Sequence, residues 1–180
     1  MTIEEREEQV DRLEESRQVV RKAIDGLTDH QWRFVPAEGG WSIGQCLEHI
    51  AHIETRIIAE LKENIRNSPA DPQLPQTTLG KETFLKRGVP NRTRKVEMPT
   101  LFDYPQGTKP GTALIIDFDA ARDQTILFLR KTPVDLRQWG TEHMIFKTLN
   151  GCQWMLFIAL HAERHAAQME EIKLTDGFPV

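Results

Sequence analysis

The 180-residue chain is 39% hydrophobic and 28% charged, with a formal net charge of −4. That balance suits one packed core and excludes a disordered or fibrous chain, and the net acidity argues against a surface built to neutralise nucleic-acid phosphates. The longest apolar run, Trp154 to Leu160, is too short for a bilayer span of about 20 residues. With the polar opening MTIEEREEQV and only Cys46 and Cys152 as thiols, the chain reads as a cytoplasmic single domain, 1–180, with structural, unpaired cysteines.

Four segments carry helical periodicity. The first runs from about Thr2 to Leu27, with Thr2 and Glu5 as a capping box and Ile3, Val10, Leu13, Val20, Ile24 and Leu27 as its apolar stripe. The second starts at Ser42, where Gln45 can reach back to the cap, and runs to about Asn67 before Pro69; its stripe is Ile43, Cys46, Ile50, Ile53, Ile57 and Leu61. The connection 68–110 follows, with Pro69, Pro72, Pro75, Pro90, Pro99, Pro105 and Pro110 forbidding a long helix or a central strand. Its basic residues Lys86, Arg87, Arg92, Arg94 and Lys95 read as a solvated loop, and Val96 to Met98 as local pairing at most. A third helix covers about Thr112 to Lys131, and a fourth runs from Asn150, capped with Gln153, to about Leu174. Two long helices, a long connection and two more helices predict an all-α four-helix bundle with a crossover between the second and third.

The chemical signal is His161-Ala-Glu-Arg-His165, because side chains four apart on a helix share a face. At about 100° per residue, Trp154, Ile158, His161, His165, Met169 and Ile172 fall within about 60° of one line, with Glu163 and Glu170 opposite. Both histidines thus enter the core, where an imidazole needs a partner: a carbonyl, a carboxylate or a metal. A metal needs a further ligand from another element. His49, at the edge of the second helix's apolar stripe, is the best candidate, whereas His52 turns toward the surface. His30 and His143 read as structural, with His143 able to approach the site from its rim. Three neutral imidazoles suit zinc, nickel, cobalt or ferrous iron and leave open coordination positions.

Glu54 falls on the apolar side of the second helix, about 140° from His49. A carboxylate there orients a ligand histidine, serves as a catalytic base, or pairs with an arginine of a neighbouring helix. Gln45, Gln168 and Arg164 lie near the proposed ligands and are candidates to support them. Arg56, Arg164 and the basic loop either hold an anionic cofactor or are solvated surface.

The segment Trp41-Ser42-Ile43-Gly44-Gln45-Cys46-Leu47-Glu48-His49, followed far along the chain by His161-Ala-Glu-Arg-His165-Ala-Ala-Gln168, resembles the DinB/YfiT-like superfamily of metal-dependent enzymes. The resemblance spans nearly the whole chain. It implies a four-helix bundle with a long crossover, a nickel, zinc or similar divalent metal held by His49, His161 and His165, and a homodimer. Relatives of this kind resemble S-transferases that use bacillithiol or related low-molecular-weight thiols, with a mycothiol-dependent isomerase among more distant members. The expected activity is therefore metal-dependent transfer of a thiol to a small-molecule electrophile, or hydrolysis, with neither nucleic acid nor membrane as partner. The alternatives are a non-catalytic metal or small-ligand binder and a dimerising interaction module.

Overall fold

The computed structural model describes residues 1–93 and 105–180. Arg94, Lys95 and the segment Val96 to Met98 lie outside the described residues. Seven helices are described: α1 (Ile3–Ile24), α2 (Asp29–Arg33), α3 (Ile43–Asn67), α4 (Leu74–Thr77), α5 (Lys81–Gly88), α6 (Gly111–Lys131) and α7 (Gly151–Lys173). A short 3-10 turn (Leu136–Gln138) and an antiparallel hairpin of β1 (Gly140–His143) and β2 (Lys147–Asn150) precede α7. The three expected capping boxes are formed, Thr2 with Glu5, Ser42 with Gln45 and Asn150 with Gln153, so each of these helix starts has two of its otherwise unpaired backbone N–H groups satisfied. Ile3, assigned to the buried stripe from periodicity, is 77% exposed. It is the first residue of α1, a turn short of where the neighbouring helices cover it.

The four long helices form the bundle. α1 packs on α6 and α7, and α3 packs on the same two, which places α1 and α3 on one diagonal. Helix directions follow from side-chain partners. Arg17 bonds Asp123 at 2.6 Å and Arg130 bonds Glu7 at 3.2 Å, so α1 and α6 are antiparallel. Arg12 meets Glu163 at 2.7 Å while Cys152 meets Met1, so α1 and α7 are parallel. Glu54 meets Arg122, and Gly44 faces Leu114, so α3 and α6 are parallel. Parallel neighbours cannot be joined by a tight turn, because the chain must return over the roughly 37 Å length of a helix such as α3. The connection 68–110 makes that return, and α4 and α5 are the short helices its prolines allow.

Two apolar clusters fill the interior. One includes Val10, Leu13, Ile57, Leu61, Ile126, Leu129 and Ile158; the other includes Val20, Ile43, Leu47, Ile50, Leu114, Phe118, Ala162 and Met169. Along each long helix the passage from one cluster to the other falls at polar side chains: Ser16 on α1, Glu54 on α3, Arg122 and Thr125 on α6, and His161 on α7. The bundle therefore carries a polar layer at mid-height. Among the described residues, no helix is long and apolar enough to cross a membrane.

Candidate metal centre

His161 and His165 project from one face of α7, and His49 from the facing side of α3. The three meet: His161 Nε2 lies 3.2 Å from His49 Nε2 and 3.1 Å from His165 Nε2, and all three ligand atoms fall within 4.8 Å of one another. His49 and His165 are buried, while His161 keeps some solvent contact. Aromatic rings wall the group. Trp41, just before the Ser42 cap, stacks over His165 at 5.9 Å between centroids and lies 4.8 Å from His49. Phe157 stacks on His161 at 5.3 Å.

Burial determines the protonation state. It lowers the His49 pKa to about 4, with the nearby His52 adding a smaller push in the same direction. His161 and His165 also lie well below the usual histidine range, again chiefly through burial and then through repulsion from the other imidazoles. All three are neutral at pH 7, the form that ligates a metal.

The donor geometry fits a divalent ion. A neutral imidazole carries one N–H, so His161 Nε2 can donate to only one of the two nitrogens that face it, and at least one pair of nitrogens lacks a shared proton. Two nitrogens each about 2.0–2.1 Å from a tetrahedral zinc stand roughly 3.3–3.4 Å apart, close to the observed spacings. His165 is also oriented from behind: its Nδ1 lies 3.0 Å from Gln168 Oε1, an outer contact of the kind that directs Nε2 toward a metal.

The other predicted site residues are placed differently. Glu54 is 2% exposed, and both its oxygens accept from Arg122, at 2.9, 3.2 and 3.0 Å. Arg122 also donates to the Leu13 carbonyl, and to Ser16 Oγ at 2.6 Å. The carboxylate is spent on this internal pair, which corrects its candidacy as a catalytic base. The Gln45 side chain accepts from the Ser42 N–H at 2.9 Å and donates to the Pro105 carbonyl at 3.1 Å, so it anchors the end of the crossover rather than a ligand histidine. Beside it Gly107 donates its N–H to Glu48 at 2.9 Å; its positive φ and the 2.9 Å that would separate an added Cβ from Gln45 both require glycine. Arg164 donates to the carbonyls of Val89, at 3.1 Å, and Asn91, and so holds the crossover against α7.

His52 and His30 are exposed. His143 closes the β1–β2 turn, its Nδ1 accepting from the N–H groups of Ile145 and Phe146 at 3.0 and 3.2 Å, and its ring lies 4.8 Å from Phe157. Cys46 and Cys152 are free thiols, and burial pushes the Cys46 thiol up to about 12. Two residues have positions that sequence reasoning did not assign. Trp41 carries an aromatic signal just ahead of the cap. Arg92, read as part of a solvated loop, instead pairs with Glu171 at 2.6 Å and reaches Gln168.

The crossover four-helix bundle brings three inward-facing histidines together. The chain belongs to the DinB superfamily, whose family model matches residues 12–169. It is 25% identical over 150 residues to YuaE of Bacillus subtilis (strain 168), covering 83% of this chain and 88% of that protein. Its fold is similar to that of YfiT from Bacillus subtilis, with a TM-score of 0.55 and 15% identity, covering 97% of this chain and 89% of the other. YfiT is described as "a probable metal-dependent hydrolase with an unusual four-helix bundle topology".

Proposed function

We propose that this protein is a metal-dependent enzyme acting on small molecules, with His49, His161 and His165 holding one divalent ion and a low-molecular-weight thiol as the nucleophile. The observation that carries the reading is the convergence of three Nε2 atoms, two of the spacings being 3.1 and 3.2 Å. A divalent ion held by His49, His161 and His165 would leave coordination positions open and would supply Lewis acidity, lowering the pKa of a thiol or water bound there.

The chain's own residues supply the setting. Gln168 holds His165 by its outer nitrogen, and burial keeps all three imidazoles neutral. Trp41 and Phe157 cover two of the rings and limit water around them, while the partial exposure of His161 supports an approach from that side. With the Glu54 carboxylate held by Arg122, a nucleophile that ionises on coordination, thiol or water, needs no base from this helix. Hydrolysis is the second reading, favoured by the description of YfiT.

The test is a panel of low-molecular-weight thiols with a fluorogenic electrophile, run with and without chelator on wild type, His161→Ala and Glu54→Gln. Chelator-sensitive turnover in wild type and Glu54→Gln, lost in His161→Ala, is the expected result. Equal turnover with and without chelator would overturn the assignment.

A further inference from the structure

We infer that Arg92, on the crossover connection, is a positioning residue that fixes the tautomer of His165; its bearing on metal affinity rests on the proposed metal centre. The arrangement is a relay of four side chains. Gln168 Oε1 lies 3.0 Å from His165 Nδ1 and accepts from Arg92 Nη1 at 3.3 Å. Arg92 is itself aimed by Glu171, whose two oxygens accept from Nε at 2.7 Å and Nη2 at 2.6 Å.

A guanidinium has donors only, so the carboxamide of Gln168 must present its oxygen to Arg92. That same oxygen faces His165 Nδ1, which must therefore carry the imidazole proton. Nε2 is left with its lone pair directed at His161 Nε2, 3.1 Å away. Turning the amide over would set its NH2 against the guanidinium and offer a proton to Nδ1. The imidazole proton would then move to Nε2, onto the atom that must ligate. Glu171 supports the device, because its two-point grip holds the guanidinium plane in place.

The backbone around Arg92 is docked as well. Arg164 donates to the carbonyls of Val89 and Asn91, and Arg164, Gln168 and Glu171 follow one another at three- and four-residue spacing along one face of α7. The crossover thus reaches the ligand set through a side chain 73 positions before His165 in the sequence.

The experiment uses the full chain in wild-type, Arg92→Met, Arg92→Lys and Glu171→Gln forms. Two-bond proton–nitrogen NMR of the imidazoles in metal-free protein reads the His165 tautomer, and competition with a chromophoric chelator reads zinc affinity. Wild type is expected to show protonated Nδ1. In Arg92→Met the two tautomers should mix and zinc affinity should fall by about 10-fold at most, the low end of the effect of removing a ligand's direct outer partner, since Arg92 acts through Gln168. Arg92→Lys should restore the tautomer in part, and Glu171→Gln should shift it in the same sense as Arg92→Met by less. A merely structural role would lower thermal stability and leave the tautomer unmoved. A wild-type tautomer in Arg92→Met overturns the inference; should that variant not fold, a wild-type tautomer in Glu171→Gln does so. Absence of zinc binding by wild type would count against the metal centre alone, since the tautomer is read without metal.

Discussion

Helix α3 buries two polar centres five residues apart, and they are opposites. Glu54 meets a guanidinium with matching donors, and the remaining donors of Arg122 find Leu13 and Ser16. That centre is closed by the chain itself. His49 meets two more imidazoles, and three facing nitrogens cannot satisfy one another. Charge and hydrogen-bond capacity are balanced in the first, and hydrogen-bond capacity is left over in the second. A buried polar group that the protein has fully satisfied contributes to structure, and one left with surplus lone pairs awaits something from outside.

Breaking the closed centre costs most. Arg122→Met leaves a buried carboxylate without its counter-charge and should cost roughly 3–5 kcal/mol in denaturant unfolding. Adding Glu54→Leu should recover most of that loss, because two apolar groups of similar volume demand no partner. Failure of the double variant to recover would mean that the pair does more than neutralise itself.

Acid acts on the open centre. With folded-state values of about 4 for His49 and well below the ordinary range for His161 and His165, the unfolded chain binds protons that the folded chain refuses. Stability of the metal-free protein is therefore full above about pH 6.5 and falls as pH drops from there toward 4. The slope is about 1.4 kcal/mol per pH unit for each histidine involved, and His143, also lowered to about 4 by burial, adds to it. Unfolding curves between pH 7.5 and 4.5 measure it, and a flat profile would show that the imidazoles are not buried in their neutral form. Zinc should steepen the dependence, since protons and metal compete for the same lone pairs.

The smallest effect concerns the cover. Trp41→Leu removes ring contacts worth about 0.5–1.5 kcal/mol and opens His49 to water. The His49 pKa should move up from about 4 toward its ordinary value, which an NMR titration of metal-free protein reads directly. An unmoved value would assign the burial to other neighbours.

Much of this contrast can be read from the sequence, because it rests on local periodicity. The Ser42 cap and apolar stripe set the phase of α3, and the four-residue spacing sets His161 and His165 on one face. The parts that are not legible have short or distant causes. β1 and β2 have four residues each and no apolar alternation. α4 and α5 are too short to show a period above the noise of a proline-rich stretch. Arg92 looks like its basic neighbours until the crossover folds back on α7, where Glu171 and Gln168 single it out. Glu54 shows the limit of wheel reasoning: its phase reveals that it is buried, but only packing reveals that Arg122, 68 positions away, is the partner.

The most direct test of the open centre is calorimetric titration of zinc into metal-free protein, comparing wild type with His161→Ala and Glu54→Gln. One ion per chain in wild type and Glu54→Gln, with binding lost in His161→Ala, is the predicted result. Stoichiometric binding that survives His161→Ala, or no binding by wild type, would contradict the account.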